Sequence, residues 1–174
     1  AVDAGADIIN LSLGGEHDDP TLRSAIAYGR EDGAIFVAAP GNEGHGHPAF
    51  PAAYPEVVAF GAVDATGTPA AFSNYGEGLD LAAPGVGLHV AGFHEETGDP
   101  AIAQATGTSF SAPIVSGMLA TLMSLDGNQQ TGDDYVQTLQ AFANETHAPG
   151  ADPFTGEGIA DLGRALRDGE PGLY

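Results

Sequence analysis

Short apolar runs alternate with an amphipathic segment in the first third of the chain. Residues 34–39 are continuously apolar, and residues 7–13 carry the apolar side chains Ile8, Ile9, Leu11 and Leu13, as expected for buried strands of a parallel sheet. Between them, residues 21–32 place apolar side chains at helical spacing, and Gly33 predicts the end of that helix. Strand, helix and strand in this order are typical of a right-handed βαβ unit, and residues 57–63 predict a third strand. The pattern therefore predicts a single α/β domain over residues 1–174.

The rest of the chain predicts fewer strands and more helix. The predicted elements are strands at 79–83 and 88–91, a polar loop at 94–105, an amphipathic helix at 133–145 and a last helix capped by Asp161.

One segment, residues 114–125, contains no charged residue and carries apolar side chains at helical spacing. A helix so poor in charge is expected to be buried on most sides. Pro113 is expected in its first turn, where a missing N–H costs nothing. Ser109 is then expected at or just before a helix N-terminus, where backbone N–H groups and the helix dipole favour negative charge. An alternative is that Thr108 or Ser109 serves only as an N-cap.

The composition is strongly acidic, with 24 Asp and Glu residues. The formal net charge is −20, with four arginines and no lysine, which disfavours nucleic acid or an anionic membrane as a partner. Either a salt-rich environment or an ordinary one with an acidic protein accounts for this charge. Cysteine is absent, and with no run of about 18 apolar residues no membrane span is expected. No signal peptide is visible at the start of the sequence.

Several segments in a fixed order resemble the subtilisin-like serine proteases, or subtilases. Residues 107–113, Gly-Thr-Ser-Phe-Ser-Ala-Pro, resemble the nucleophile motif of that family. Residues 38–44, Ala-Ala-Pro-Gly-Asn-Glu-Gly, resemble its oxyanion-asparagine motif, and residues 8–15 its substrate-binding strand. Further landmarks lie between them at 50–55, 60–64, 72–76 and 81–85. The resemblance implies a three-layer αβα fold with a mainly parallel sheet, of which this chain is expected to be the C-terminal part.

The resemblance also implies roles for particular residues. Ser109 would be the nucleophile, and Asn42 would donate its side-chain N–H to the oxyanion beside the backbone N–H of Ser109. The alternative for Asn42 is a turn residue that tolerates unusual dihedral angles. Two segments would flank an extended peptide and form an open pocket for a large apolar side chain. They are Ser12, Leu13 and Gly14 on one side and Ala39, Pro40 and Gly41 on the other.

No cofactor is expected, but relatives of this kind imply a structural ion. Backbone carbonyls of Ala52, Tyr54 and Val57 correspond to a loop that binds a cation in some of them, which suits Ca²⁺ or Na⁺. The six histidines are expected to be solvent-exposed. His45 and His47 are spaced for a weak metal site that lacks a third ligand.

The sequence contains neither of the motifs that supply the other two triad residues in this family. An Asp followed by Thr-Gly or Ser-Gly is absent, as is a His-Gly-Thr-His segment. A serine nucleophile needs a positioned base, so the chain alone is expected to be inactive. Its expected partners are a peptide or protein substrate and either the half that carries Asp and His or a second copy of itself. The resemblance implies secretion.

Two other interpretations compete with the enzyme. The first is a pseudoprotease that keeps the peptide groove without catalysis. The second is the sedolisin family, whose Gly-Thr-Ser motif is similar but whose oxyanion residue is an Asp where this chain has Asn42.

Overall fold

The computed structural model describes residues 1–94, 96–145 and 150–169. A short 3₁₀ turn (Val2–Ala4) precedes the first strand. The strands are β1 (Ile8–Leu11), β2 (Ile35–Ala38), β3 (Val58–Val63), β4 (Leu81–Pro84), β5 (Leu88–Phe93) and β6 (Pro100–Ala105). The helices are α1 (Pro20–Glu31), α2 (Thr108–Asp126), α3 (Gly132–Ala141) and α4 (Leu162–Asp168). His147 lies outside the described residues.

The first four strands form one parallel sheet in sequential order, β1-β2-β3-β4. The predicted βαβ unit is confirmed, because β1 and β2 pair in parallel with Ile8 opposite Ile35 and α1 connects them. All residues of β2 and β3 are buried, as their continuous apolar character predicts. Within the described residues the outer edge of β1 pairs with no strand.

Alternate residues of β2 face two separate cores. Ile35 and Val37 pack in a core with side chains of α2, α3 and α4. Phe36 and Ala38 pack in a second core with Ile26 of α1. Because successive side chains of a strand point to opposite faces, α1 covers one face of the sheet and the other three helices cover the opposite face. The three-layer αβα architecture is confirmed.

Helix α2 starts at Thr108, so Ser109 is its second residue, within two residues of the predicted position at or just before the N-terminus. The predicted place of Pro113 in the first turn is wrong, because Pro113 lies in the second turn. The expectation that α2 is buried on most sides is also wrong, because Pro113, Gly117 and Ala120 lie on an exposed face. By length and composition α2 could cross a membrane. Here its other face, with Val115, Leu119 and Leu122 fully buried, packs on the sheet as a core helix does.

The polar loop predicted at residues 94–105 is wrong over its second half. Residues 100–105 form β6, which pairs antiparallel with β5 in a hairpin leading into α2. Most residues of β6 are exposed, and alanine is a weak strand former, so the sequence carries no strand signal there. Backbone pairing with β5 is what holds this segment as a strand.

The two shorter helices of the C-terminal part, α3 and α4, are capped at their N-termini by side chains. Thr131 and Asp134 form a capping box at the start of α3, which ends at Ala141, four residues before the predicted end. Asp161 accepts from the backbone N–H of Arg164 and so caps α4 as predicted, and Gly169 is the C-cap residue of that helix.

Candidate active site

The segments singled out in the sequence meet at one end of the parallel sheet. The loops after β1 and β2 leave the carboxyl ends of their strands, and the N-terminus of α2 lies beside them. Crevices at this edge of an open α/β sheet are where ligands bind. A cavity of about 330 Å³ here is lined by residues of all three segments, Asn42 and Ser109 among them. The structure therefore brings the predicted nucleophile and the predicted oxyanion donor to one crevice, 67 positions apart in sequence.

Thr108 holds the side chain of Asn42 in a defined orientation. The backbone N–H of Thr108 donates to Asn42 Oδ1 at 2.8 Å. The Thr108 hydroxyl lies 3.0 Å from the same oxygen and 3.3 Å from the carbonyl of Gly41. Since Asn42 Oδ1 accepts from the helix, the Nδ2 donor is the end of the amide that remains for a ligand.

Ser109 is the second residue of α2, so its backbone N–H has no acceptor within the helix. The side chain is half-buried at the cavity. The positive end of the helix dipole lies at the same place, which favours a negative oxygen beside this N–H. A hydroxyl, a free backbone donor and the amide of Asn42 thus share one small region.

The structure does not support an N-cap role for Thr108 or Ser109. Gly107 occupies the N-cap position, and no side chain caps the helix there. Thr108 is fully buried, and its hydroxyl donates a hydrogen bond to the side chain of Asn42 and not to the start of its own helix. The turn alternative for Asn42 is weakened for the same reason, because its amide bonds to a distant helix.

Pro113 and Ser12 are linked through the carbonyl of Ser109. Pro113 has no N–H, so it cannot donate to the carbonyl four residues earlier, which is that of Ser109. The hydroxyl of Ser12 donates to this carbonyl instead, at 2.8 Å. Ser12 therefore supports the nucleophile segment and is not among the residues that line the cavity.

Asn74 fastens the loop that carries Asn42. Its fully buried side chain accepts from the backbone N–H groups of Glu43 and His45, at 3.1 and 3.0 Å, and donates to the carbonyl of Pro40 at 2.9 Å. Gly41 approaches Asn74 so closely, at a φ of 114°, that a Cβ at position 41 would collide with the amide. The sequence shows Asn74 only as part of a landmark and gives no signal of this role.

The walls of the cavity agree in part with the predicted pocket. Leu13, Gly14, Ala39 and Gly41 line it as expected. Gly14 lies against the carbonyl of Phe50, which a Cβ would approach to 3.1 Å. Pro40 does not line the cavity, and its carbonyl accepts from Ala49 and Asn74.

Two carboxylates missed in the sequence also line the cavity, those of Glu16 and Glu43. Glu43 turns back on its own loop, where its Oε2 accepts from the backbone N–H of Asn42 at 2.8 Å. A pocket for a purely apolar side chain is therefore an incomplete description, because its rim carries negative charge.

The described histidines do not line this cavity, so none of them is placed as a base for Ser109. The predicted cation loop is buried at Ala52, Tyr54 and Val57, and the carbonyl of Tyr54 accepts the N–H of Val57 at 3.0 Å. That carbonyl keeps a second lone pair, so a cation there stays a prediction.

Comparison with known proteins identifies the family to which this fold belongs. The solved structure of the prenylagaramide maturation protease PagA is similar, with a TM-score of 0.82 and 31% sequence identity over 97% of this chain and 64% of that one. Residues 1–158 match the subtilase family, and the chain belongs to that family.

Curated relatives agree with this assignment. A thermophilic serine proteinase of Bacillus sp. (strain AK1) is 42% identical over 74% of this chain and 31% of its own length. Subtilisin Savinase of Lederbergia lenta is 32% identical over 94% of this chain and 57% of its own length. The major intracellular serine protease of Bacillus subtilis (strain 168) is 39% identical over 72% of this chain and 40% of its own length. The chain spans about a third to somewhat over half the length of these relatives.

Proposed function

We propose that this chain supplies the nucleophile and the oxyanion-binding groups of a subtilisin-like serine endopeptidase. Family membership and the serine protease relatives support the reaction class. The observation that carries the residue roles is the 2.8 Å hydrogen bond from the Thr108 N–H to Asn42 Oδ1, which joins the two halves of the site.

The proposed reaction proceeds by acyl transfer. The Ser109 hydroxyl oxygen attacks the carbonyl carbon of a peptide bond and gives its proton to a histidine base. The carbonyl oxygen becomes an oxyanion that accepts from Asn42 Nδ2 and the Ser109 N–H. Collapse of this intermediate breaks the C–N bond, the amine leaves with the proton, and water then releases the acyl group from Ser109.

The base and its carboxylate belong to a segment that this sequence does not contain. We propose that this segment, which carries the Asp and His motifs of the family, covers the free outer edge of β1. The exposed face of α2 at Pro113, Gly117 and Ala120 would be covered with it. An uncovered parallel strand edge is prone to pair with another chain, so a second copy is the alternative occupant.

Light scattering and thermal unfolding test this arrangement. We expect the 174-residue chain alone to self-associate or to unfold at low temperature, and added Asp/His-bearing segment to restore a stable complex. A fully stable monomer would contradict the proposal.

Labelling of Ser109 tests the catalytic role. In a protein that also carries the Asp and His segment, a fluorophosphonate should label Ser109, and the Ser109→Ala variant should stay unlabelled. The alternative is a pseudoprotease that binds peptides without cleaving them. Absence of labelling in the folded protein, with peptide binding retained, would favour that alternative.

Substrate, ion and location follow as parts of the same proposal. The substrate is an extended peptide beside residues 12–14, with a side chain in the cavity bounded by Ala39 and Gly41. A Ca²⁺ or Na⁺ ion on the carbonyls of the 52–57 loop is structural, and the reaction needs no cofactor. Secretion is the proposed location, although one relative is named an intracellular protease.

A further inference from the structure

Three potential metal ligands converge at the rim of the cavity. Glu16 follows β1, and His45 and His47 lie in the loop after β2. One ligand atom from each of these side chains lies within 4.8 Å of the other two. His45 Nδ1 is 3.3 Å from Glu16 Oε1, and the two imidazole rings are 5.7 Å apart between centroids. Glu16 thus supplies the third potential ligand that the His-Gly-His spacing lacks in the sequence.

The backbone that carries the three ligands is anchored. The N–H of His45 donates to the buried side chain of Asn74, and its carbonyl accepts from Tyr75 at 2.9 Å. Gly15, directly before Glu16, exchanges two backbone hydrogen bonds of 2.9 Å with Phe50. Both segments are therefore held in place without an ion, which limits the ordering that an ion would have to impose.

The tautomer of His47 also suits a ligand. His47 Nδ1 lies 3.2 Å from the carbonyl of Pro48, which can only accept a hydrogen bond. A hydrogen bond there requires the proton on Nδ1, and in the neutral ring this leaves the lone pair on Nε2. Histidines that bind a metal through one nitrogen usually donate the other N–H to a backbone carbonyl or a carboxylate, which fixes the orientation of the ring.

We propose that Glu16, His45 and His47 bind a divalent transition-metal ion, with Zn²⁺ as the best match. Two imidazoles and one carboxylate suit Zn²⁺, and all three side chains are exposed, so water completes the coordination. The net charge of −20 raises the local concentration of cations. The simpler alternative is an exposed His45–Glu16 ion pair, which leaves His47 without a role.

Calorimetric titration of the folded protein with Zn²⁺ tests the site. We expect one saturable site per chain and a loss of affinity of at least about tenfold in each of His45→Ala, His47→Ala and Glu16→Gln. His89→Ala removes an exposed histidine of β5 outside the cluster and should bind as the unchanged protein does. No saturable binding, or an affinity of the His45→Ala and His47→Ala variants that equals that of the unchanged protein, would overturn the proposal.

A second measurement keeps the test valid if one variant folds poorly. Electron paramagnetic resonance with Cu²⁺ should show two coordinated imidazole nitrogens in the unchanged protein and one in His47→Ala. Signals with no imidazole nitrogen in the unchanged protein would also overturn the site.

The site has a consequence for substrate recognition that rests on the proposed function. Glu16 lines the cavity and also belongs to the metal cluster, so a bound ion would neutralise the negative charge of Glu16 at the rim of the cavity. Zn²⁺ should therefore weaken cleavage of peptides with a basic side chain in this pocket more than cleavage of apolar ones, and His45→Ala should remove the difference. Zn²⁺ binding to the Ser109→Ala variant does not depend on catalysis, so it distinguishes failure of the metal site from failure of the protease proposal.

Discussion

Two hydrogen bonds from Thr108 fix the orientation of the Asn42 side chain, the proposed oxyanion donor. Asn42 is exposed and could rotate, and what fixes it is an N–H and a hydroxyl from the buried residue before Ser109. A donor that is oriented before the reaction stabilises a developing charge without reorganisation at that moment. Thr108 is therefore a positioning residue, and Asn42 is the group that would touch the substrate.

Variants of these two residues should lose activity to different degrees. Asn42→Ala should lower kcat by about 100- to 1000-fold with a small change in KM, a magnitude taken from the same donor in a subtilisin. Thr108→Val removes the hydroxyl but keeps the N–H bond to Asn42 Oδ1, so its loss should be smaller. Steady-state kinetics of the complete protein measures both. An equal fall in both variants would mean that the N–H bond alone does not hold Asn42 and that the hydroxyl of Thr108 is required.

Asp80 is a second residue whose surroundings make a measurable prediction. Burial raises the pKa of its carboxyl group to about 6, although the N–H of Ala59 donates to it at 2.8 Å and opposes the shift. The folded protein therefore holds this proton more tightly than the unfolded chain does. Stability from this group is present below about pH 4 and is lost as the pH rises through about 6.

The stability of the Asp80→Asn variant relative to the unchanged protein should therefore increase as the pH rises. Relative to the unchanged protein, its free energy of unfolding should increase by roughly 1–3 kcal/mol between pH 4 and pH 7. Denaturant unfolding at several pH values measures this. Asp64→Asn is the contrast, since donors from Thr66 and Thr68 lower the pKa of Asp64 and its removal should cost stability at neutral pH and little in acid. A pH-independent difference for Asp80→Asn would contradict the explanation.

Helix α2 and the loop after β1 are connected by a hydrogen bond at the point where Pro113 interrupts the backbone hydrogen bonds of the helix. Pro113 deprives the carbonyl of Ser109 of its helical donor, and Ser12 replaces that donor. The loop after β1 is thus tied to the first turn of α2, where the nucleophile lies. This connection explains why a proline is tolerated inside a helix of 19 residues.

A double-mutant cycle tests that replacement. Ser12→Ala should destabilise the fold by about 1 kcal/mol, because the Ser109 carbonyl loses its donor. In a Pro113→Ala background the helix supplies an N–H, so the same Ser12→Ala change should cost clearly less. Chemical unfolding of the four proteins gives the coupling energy. Additive effects would show that Ser12 does not substitute for the missing donor.

Elements differ in how well the sequence predicts them, and the reason is burial. Strands β1 to β4 and helix α1 were predicted to within about three residues because their apolar side chains face the two cores. Strand β6 was missed because it is mostly exposed and is held by backbone pairing, which leaves no pattern. The apolar run of α2 begins only at residue 114 because Ser109 and Ser111 interrupt the pattern, although the turn that holds them belongs to the helix and packs on the sheet and the loops.

Some residues of the candidate site could be predicted from the sequence and others could not. Residues that belong to a motif, such as Ser109, Asn42 and Gly14, could be predicted as a set from their order. Contributions from Asn74 and Glu16 could not, since each depends on which loops fold against each other and not on local sequence. The predicted N-cap alternative failed for the same reason, as the hydroxyl of Thr108 bonds across the crevice.

For the whole molecule, the dominant quantity is charge. The chain contains four arginines and 24 acidic residues. Arg23 forms an ion pair with Glu56, and Arg30 forms one with Asp133. Most of the negative charge therefore has no cationic partner among the side chains of the described residues. Self-repulsion of this kind destabilises a compact state and weakens as salt screens it.

We expect the melting temperature to rise with NaCl between low salt and about 1 M, where the Debye length falls to about 3 Å. Calorimetry of the stable complex in a salt series measures this. The charge-removing variant Glu31→Gln/Asp32→Asn is a matched control, because both residues are exposed at the C-terminal end of α1, where negative charge opposes the helix dipole. It should melt higher than the unchanged protein at low salt and show a weaker salt dependence. A melting temperature higher in low salt than in molar salt would show that charge repulsion does not limit this fold.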